Sequence, residues 1–596
     1  MDFTVEFQPL GLRIQCDQDI NALDAARQAG IQMMAVCGGE GTCGKCVIQI
    51  LESKQLQQPT PTEIKHLSPQ QLDAGFRLAC MTTLTADTKL YIPASSIIED
   101  QIMQTEGDSV QQELHPAIKQ TTITLNKAYL KDLTSDFSRV KNAMGDPSLH
   151  ANLDTIRRIP PILRENDWTV NLITRGDRVI NSTRKKIETP LGLAVDVGST
   201  KIACYLIDLD SGKVITAKGT PNPQIAYGED IMARLAFAIQ NRENAEKLHT
   251  LTMDAISLIA SDMCRRINRE VHEIMDFCLV GNTAMHHLFL NLPADSLAVS
   301  PFVPVMTDPL YPSANTLHLS AMPGAGVYAP PVKAGFIGSD HLAFLYATGF
   351  GKDNKIRLGI DIGTNTEIAL QANDRIVSVS TASGPAFEGA HIAFGMRAAP
   401  GAIEHVTIDE DGKTIIDVIG GQKAIGVCGS GILDAVAQLR ARGLLNHRGR
   451  FVKDRPCIQI DENGKPLFAL SDGSQPVTLS QEDIDQILLA KGAIRAGIDV
   501  LMDHLQIKPN QVEEVVIAGA FGSYMLPEHA MGIGMLPTLP LDRMRIVGNA
   551  AGTGAQMMLI STNARQEAET LAEKIEYLEL TVYPEFPIFY ANGIRA

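Results

Sequence analysis

The sequence predicts a multidomain protein in which an N-terminal α+β unit precedes a larger α/β unit. Residues 1 to about 94 combine short strands of alternating polarity with a cysteine-rich loop. From about residue 190, apolar strands alternate with helices and glycine-rich turns, which is typical of α/β architecture. Within that region Leu193–Thr200 resembles Leu358–Asn365, with a spacing of 165 residues. This spacing is too long for a solenoid and indicates two homologous lobes.

Length and composition exclude several classes of protein. A chain of 596 residues suggests about four domains. Its net charge of −16 disfavours a generic binder of nucleic acid or of anionic membranes. The sequence contains no run of about 18 apolar residues, which is the length that a membrane-spanning helix requires. The opening residues lack the basic and apolar regions of a secretory signal, so we expect a cytoplasmic protein.

The predicted domains follow the chain in order. Residues 1–94 form the α+β unit, with strands at Phe3–Phe7, Leu12–Cys16, Val47–Leu51 and Lys89–Ile92 and a helix capped by Asn21. Residues 95–120 are polar and rich in Gln and Glu, which indicates a linker. Residues 121–189 form a small middle domain in which we identify no chemistry, and residues 190–596 form the α/β unit.

The clearest motif is a group of four cysteines, Cys37, Cys43, Cys46 and Cys80. Their spacing is C-x5-C-x2-C, then 33 residues, then a fourth cysteine. Four thiolates are the ligand set of a [2Fe–2S] cluster, and glycines between them allow the backbone to wrap closely around it. The alternative is a zinc site, but zinc motifs usually contain two C-x2-C pairs and this chain has one.

The same loop nearly matches a phosphate-binding P-loop. Gly39–Cys46 fits the pattern G-x-x-x-x-G-K-[ST] except at its last position, where Cys46 replaces the hydroxyl that binds magnesium. No phosphate-binding helix is expected to begin there. We therefore reject a P-loop in favour of the cluster.

The two Asp-x-Gly turns predict phosphate chemistry. Asp196 and Asp361 each end a strand, where the carboxylate can hold Mg²⁺ through water. Gly198 and Gly363 let the backbone approach phosphate oxygens. Hydroxyl donors follow at Ser199, Thr200, Thr364 and Thr366. The alternative is a pair of ordinary Asp-Gly hairpins.

These motifs resemble those of the ASKHA superfamily, which includes sugar kinases, heat-shock ATPases and actin. Asp196–Lys201 resembles its first phosphate motif and Asp361–Glu367, with Asn365, its second. The resemblance makes Asp340 the residue that orients the attacking water, although such a residue could instead cap a helix. It also assigns nucleotide contacts to Gly519, Ala520, Phe521 and Gly522 and a second connecting helix to Gly548–Ala555. Gly429, Ser430 and Gly431 open a helix that could face the nucleotide or merely pack on the sheet.

The cysteine loop resembles that of β-grasp [2Fe–2S] ferredoxins. With the ASKHA motifs, the whole chain resembles the reductive activators of corrinoid-dependent methyltransferases, which have a ferredoxin domain, a linker, a middle domain and an ASKHA ATPase domain. The resemblance implies ATP-dependent transfer of one electron to an inactive Co(II) corrinoid protein, which regenerates Co(I). It further implies an external electron donor and a homodimer to which the middle domain contributes.

Alternative functions remain open from the sequence. One is an ASKHA kinase or chaperone-like ATPase whose cluster only senses redox state. Another is an iron–sulfur electron carrier without catalytic activity. An activator of the kind that serves 2-hydroxyacyl-CoA dehydratases fits less well, because that family lacks an N-terminal ferredoxin domain.

Overall fold

The computed structural model describes most of the chain. The described residues are 3–8, 12–16, 19–29, 31, 33, 39, 41, 44–53, 58–93, 96, 112–228, 230–389, 391–472, 476–519, 521–522 and 524–595. In this part of the chain no helix is both long and apolar enough to cross a membrane.

The N-terminal domain is a mixed sheet packed against a short helix. Its strands are β1 (Phe3–Gln8), β2 (Leu12–Cys16), β3 (Ile20–Asn21), β4 (Val47–Ser53), β5 (Phe76–Leu78), β6 (Thr83–Leu84) and β7 (Thr88–Tyr91), and its helices are α1 (Ala22–Gln28), α2 (Pro61–His66) and α3 (Pro69–Asp73). The main sheet has the order β2-β1-β7-β4-β5, in which β1 and β7 are parallel. Alternate residues of β1 are buried, as the sequence pattern predicts. The predicted β-grasp fold is confirmed.

A second small domain follows. Its strands are β8 (Ile118–Thr124), β9 (His150–Ala151), β10 (Thr169–Arg175) and β11 (Arg178–Thr183), and its helices are α4 (Asp136–Met144) and α5 (Leu153–Glu165). The strands form one sheet in the order β8-β10-β11-β9. Strand β8 begins inside the range 95–120 that we expected to be linker. A separate apolar core, which includes Leu163, Val170 and Leu172, holds this domain together.

The first lobe of the α/β unit contains one sheet and five helices among the described residues. Its strands are β12 (Leu191–Val197), β13 (Lys201–Asp208), β14 (Val214–Pro221), β15 (Ile274–Gly281) and β16 (Gly326–Tyr328), and its helices are α6 (Ile231–Ala238), α7 (Arg242–Arg266), α8 (Thr283–Phe289), α9 (Asp295–Ala298) and α10 (Ser339–Thr348). Short 3-10 helices lie at Pro223–Tyr227, Val271–Glu273 and Ala314–Leu317. The sheet order is β14-β13-β12-β15-β16.

The second lobe is larger. Its strands are β17 (Arg357–Ile362), β18 (Thr366–Ala372), β19 (Arg375–Thr381), β20 (Ala402–Ile408), β21 (Thr414–Val418), β22 (Gly426–Val427), β23 (Ile458–Ile460), β24 (Pro466–Ala469), β25 (Thr478–Ser480), β26 (Glu514–Ala518), β27 (Met544–Ile546) and β28 (Ile575–Tyr577). Its helices are α11 (Gly429–Ala441), α12 (Gln481–Leu505), α13 (Pro527–Gly532), α14 (Ala550–Ile560), α15 (Thr562–Lys574) and α16 (Phe586–Gly593), with 3-10 helices at Pro385–Glu388, Ile419–Gly421, Pro509–Gln511, Leu541–Arg543 and Leu580–Val582. Its main sheet has the order β27-β26-β17-β18-β19-β28.

The two main sheets repeat one topology. In each lobe the first two strands form an antiparallel hairpin, β12–β13 or β17–β18, and the next strand of the sheet, β15 or β26, runs parallel to the first. The Asp-x-Gly turns join the strands of these hairpins. The two-lobed architecture predicted from the repeated motif is therefore confirmed.

Helices α10 and α14 connect the lobes and pack tightly against each other. Gly554 faces the backbone of Ala343 so closely that a Cβ added to it would lie 2.2 Å from the Ala343 carbonyl oxygen. The resemblance to the ASKHA superfamily assigned Gly548–Ala555 to a connecting helix, and the small residues of this segment allow the close contact. Because each helix begins beside the cleft between the lobes, the pair forms a compact hinge.

The chain that follows the ferredoxin-like domain is anchored at the far end of this hinge. The His115 N–H donates to the Ile560 carbonyl at 3.0 Å, and the Thr562 N–H donates to the His115 carbonyl at 2.8 Å. The Tyr346 hydroxyl, near the end of α10, donates to Gln112 Oε1 at 3.2 Å. Residues 112–115 therefore contact the C-terminal ends of both connecting helices.

Candidate nucleotide cleft and iron–sulfur loop

The two Asp-x-Gly turns face one cleft between the lobes. Asp196 and Asp361 lie at the ends of β12 and β17, and Asp340 enters from the first turn of α10. The N-cap position of α10 is Gly338, and Asp340 Oδ1 accepts from the His341 N–H of the first turn at 2.8 Å. The predicted residues that line this cleft are Asp196, Gly198, Ser199, Thr200, Lys201, Asp340, Asp361, Gly363, Thr364, Asn365, Gly429, Ser430, Gly519 and Phe521.

The carboxyl groups of the cleft share a desolvated environment. Burial raises the pKa of Asp196 to about 6, although a hydrogen bond from Asn549 opposes the shift. Burial and the charge of Asp196 raise the pKa of Asp361 to about 7. Burial and the charges of Asp196 and Asp361 together raise the pKa of Asp340 to about 8. Burial also raises the pKa of Glu367 well above its usual value. Mutual repulsion of this kind favours a bound cation or proton.

These carboxyl groups fit a divalent cation held through water better than one ligated directly. Among the described residues, no group of three or more His, Cys, Asp or Glu side chains converges closely enough to hold a metal ion itself. Magnesium usually keeps several water ligands when it binds a nucleotide. The acidic wall of the cleft therefore suits a hydrated magnesium ion.

Glu388 links the two phosphate-type turns. Thr364 Oγ1 donates to one oxygen of Glu388 at 2.7 Å, and Thr200 Oγ1 approaches the other at 3.5 Å. Burial lowers the pKa of Lys201, while the Glu388 carboxylate partly restores it. The sequence analysis did not identify Glu388, since it lies outside both turn motifs and reaches them from the 3-10 helix at Pro385–Glu388.

One wall of the cleft is aromatic. Phe521 stacks on Phe387 with ring centroids 4.6 Å apart and an interplanar angle of 19°. Gly519 has a φ of +94°, and a Cβ there would lie 2.2 Å from the Ile362 carbonyl oxygen. Only glycine allows the chain to turn so close to β17 and present this flat surface. A planar base is the kind of group that such a surface accommodates.

The glycines that open α11 serve packing as well as the cleft. A Cβ on Gly429 would lie 1.9 Å from the Phe387 carbonyl oxygen, and one on Gly431 would lie 2.4 Å from that of Ile403. Gly429 and Ser430 line the cleft, whereas Gly431 faces the sheet. Both interpretations of this motif thus apply, to different residues.

Two other residues that were predicted to face the nucleotide do not face the cleft, and a third lies outside the described residues. Thr366 is buried, and its hydroxyl pairs with that of Ser383 at 2.8 Å instead of facing the cleft. Gly522 packs against its own chain, since a Cβ there would lie 2.5 Å from the Ala518 carbonyl oxygen. Ala520 lies outside the described residues.

The described part of the cysteine loop fits a cluster site. Cys46 and Cys80 bring their sulfur atoms to 3.3 Å, and the Ala79 N–H donates to the Cys46 carbonyl at 2.8 Å. Gly39 and Gly44 have φ values of +104° and +67°, which a wrapping loop requires. Cys37 and Cys43, the other two predicted ligands, lie outside the described residues.

Fold and site together define an ASKHA-type ATPase joined to a ferredoxin-type domain. Family models match four parts of the chain: the 2Fe–2S iron–sulfur cluster binding domain at residues 5–85, the RACo linker region at 107–187, the RACo middle region at 191–353 and the C-terminal ASKHA domain of RACo at 355–595. These models draw the linker and middle boundaries at different places from our sequence analysis.

Individual relatives agree with these matches. The chain is 30% identical to the corrinoid activation enzyme RamQ of Eubacterium limosum, over 98% of this chain and 97% of RamQ. It is 26% identical to the [Co(II) methylated amine-specific corrinoid protein] reductase of Methanosarcina barkeri, over 67% of this chain and 76% of that protein. A solved structure of a reductive activator for corrinoid, iron–sulfur protein superposes with a TM-score of 0.73 and 30% identity, covering 100% of this chain and 98% of the other. The chain belongs to the RACo family of corrinoid protein activators.

Proposed function

We propose that this protein uses ATP to deliver one electron to an inactive Co(II) corrinoid protein and so regenerate Co(I). The observation that carries the proposal is the presence on one chain of a ferredoxin-type cysteine loop and a two-lobed nucleotide cleft, joined through residues 112–115 at the hinge. Membership of the RACo family supports it.

A bound [2Fe–2S] cluster supplies a one-electron centre, which an external donor can reduce and the corrinoid acceptor can oxidise. We assign its four ligands to Cys37, Cys43, Cys46 and Cys80. The positive φ values of Gly39, Gly41 and Gly44 suit a loop that wraps closely around a cluster.

In the ATPase cleft we assign phosphate contacts to the turns at 198–200 and 363–365, with Lys201 as a cationic partner. Asp196 and Asp361 hold a hydrated Mg²⁺ ion. Asp340 enters the cleft from the first turn of a connecting helix and is suited to orient the attacking water. The stacked Phe387 and Phe521 rings support the base.

Nucleotide turnover cannot change a reduction potential by itself, but it can shift the population of conformations in which the electron is transferred. Helices α10 and α14 begin at the cleft and end at the anchor of residues 112–115. Movement of the lobes therefore reaches residues 112–115, which follow the ferredoxin-type domain in the chain. We further infer a cytoplasmic homodimer, with residues 121–189 contributing to the dimer interface.

The test is spectroscopic. The holoprotein is mixed with a Co(II) corrinoid protein, a reductant and ATP, and Co(I) absorbance is followed. We expect Co(I) to form only with ATP, and Asp340→Asn to lower ATP hydrolysis at least about 100-fold while the cluster absorbance stays unchanged. Asp295→Asn, which alters an exposed carboxylate at the start of α9, is the matched control. Equal Co(I) formation without ATP would contradict the proposal.

A further inference from the structure

Arg27 of the ferredoxin-type domain contacts the first lobe of the ATPase at Ala226 and Tyr227. The Arg27 guanidinium, at the end of α1, lies 4.8 Å from the centroid of the Tyr227 ring. It also donates a hydrogen bond to the Ala226 carbonyl. Asp24 holds the guanidinium in this direction through a 2.6 Å ion pair along α1. The contact joins residues that are about 200 positions apart in the sequence.

Tyr227 is positioned to accept a cation. The ammonium of Lys247, on α7 of the same lobe, also lies 4.8 Å from the centroid of the Tyr227 ring. The ring of Phe237 packs at 4.9 Å from that of Tyr227 and supports it from α6. An aromatic ring attracts cations through the negative potential of its face, so Tyr227 can bind a cation from its own lobe and one from the other domain.

The segment that bears Tyr227 is bonded directly to the first phosphate-type turn. Asn222, which caps the 3-10 helix Pro223–Tyr227, donates through its side chain to the Gly198 carbonyl at 2.8 Å and through its backbone to the Thr200 carbonyl at 2.9 Å. Beyond the 3-10 helix the chain returns to the cleft, which Ile231 lines. Both ends of the segment therefore contact the nucleotide cleft.

The end of this segment packs closely against helix α6. At Gly228, which follows Tyr227, a Cβ would lie 2.8 Å from the Cβ of Ala233 and 2.9 Å from the backbone nitrogen of Arg234. The segment is thus packed against the start of α6. Because Asn222 bonds the turn and the segment packs against α6, a displacement of the turn at Gly198–Thr200 has a bonded route to Tyr227.

We infer that Pro223–Tyr227 is the docking site for this chain's own ferredoxin-type domain, with Arg27 as the anchor, and that nucleotide in the cleft alters the docking. The docking rests on the contacts of Arg27 with Tyr227 and Ala226. The effect of nucleotide rests also on the proposed function of the cleft.

Hydrogen–deuterium exchange on the full-length holoprotein tests the docking. We expect Arg27→Ala to raise the exchange rate at least threefold both in α1 and in residues 223–228. Lys247→Ala removes a cation from the same ring without touching the other domain and should leave α1 unchanged, as should Arg13→Ala, which removes an exposed arginine of the ferredoxin-type domain. If Arg27→Ala does not fold, as judged by cluster absorbance, Tyr227→Leu breaks the contact from the other side. Unchanged exchange in either segment overturns the docking.

Adding a non-hydrolysable ATP analogue with Mg²⁺ tests the nucleotide effect. In the wild type we expect protection of residues 198–200 together with an exchange rate in α1 that changes at least twofold. In Arg27→Ala the protection of residues 198–200 should persist and the change in α1 should disappear. Protection of the turn with no change in α1 overturns the coupling. An analogue that protects neither segment contradicts the proposed nucleotide site, and the coupling with it, but leaves the docking result intact.

Discussion

The side-chain amide of Asn549 donates a hydrogen bond of 2.9 Å to Asp196 Oδ2, although 353 residues separate the two positions. Asn549 is also the N-cap of α14, since its side-chain oxygen accepts from the Gly552 N–H at 2.7 Å. One residue therefore begins a connecting helix and orients a carboxylate of the first phosphate-type turn. This hydrogen bond links the hinge directly to the cleft.

Asn549→Ala should impair ATP hydrolysis by about tenfold, because Asp196 loses the donor that orients its carboxylate. The loss of the helix cap should also cost about 1 kcal/mol of stability. Asn152→Ala, which removes a similar cap from α5 in the small domain, should cost as much stability but leave hydrolysis unchanged. A steady-state ATPase assay and thermal unfolding of both variants separate the two effects. Equal ATPase activity in both variants would contradict a role for the Asn549–Asp196 bond.

Gly554→Ala should lower the melting temperature and slow ATP hydrolysis. The new methyl would lie 2.2 Å from the Ala343 carbonyl oxygen, so α10 and α14 must separate. Overpacking of this kind costs about 1–3 kcal/mol, which exceeds the roughly 1 kcal/mol that alanine contributes over glycine within a helix. Gly532→Ala, at the end of α13 where nothing lies within 4 Å of the new Cβ, is the control and should be neutral or stabilising. If the Gly554→Ala protein were more stable than the wild type, the contact between α10 and α14 would be loosely packed.

Cys46→Ser should abolish the visible absorbance and the EPR signal of the reduced [2Fe–2S] cluster. A serine oxygen is a poorer iron ligand than a thiolate, and the sulfur of Cys46 lies 3.3 Å from that of Cys80. ATP hydrolysis without the corrinoid protein should continue, because the cleft lies in the other domain. Cys457→Ser, which alters a half-buried cysteine of the second lobe, should retain the cluster. Full cluster content in Cys46→Ser would remove Cys46 from the proposed ligand set.

The stability contributed by His529 should decrease as pH rises. Its Nδ1 lies 2.6 Å from Asp434 Oδ1, and this hydrogen bond raises the pKa of His529 despite partial burial, with Glu528 adding a smaller favourable charge. His405 shares the same aspartate at 2.8 Å. Because the folded-state pKa is raised, the full contribution is present below about pH 6.5 and is lost as pH passes through the higher folded-state value.

His529→Asn keeps an N–H donor but cannot be protonated. The melting temperature of the wild type should exceed that of the variant most at low pH, by an amount that corresponds to at most about 1 kcal/mol, and the difference should shrink toward pH 8.5. His447→Asn, at an exposed site, should show no such trend. A difference that grows with pH would mean that His529 is neutral in the folded protein.

Short motifs were the most predictable part of the site. The two turns at Asp196 and Asp361 occur in register in equivalent hairpins, so their local sequence was enough to predict two homologous lobes with one phosphate-type turn each. Thr366 was predicted to face phosphate but is buried, because it is the first residue of β18 and its side chain points to the opposite face from the cleft. The sequence did not reveal which hydroxyl belonged to the turn and which to the strand.

The sequence by itself determined the order of domains, the four-cysteine spacing and the duplication of the Asp-x-Gly hairpin. Each of these features is encoded in short segments, and local structure or ligand chemistry sets the residue types within each segment. Only the tertiary structure decided that Glu388 bridges both turns, that Asn549 bonds Asp196 and that Arg27 meets Tyr227. These pairs join segments between 24 and 353 residues apart. Their contact depends on how lobes and domains pack, and local patterns of polarity and spacing carry no information about that packing.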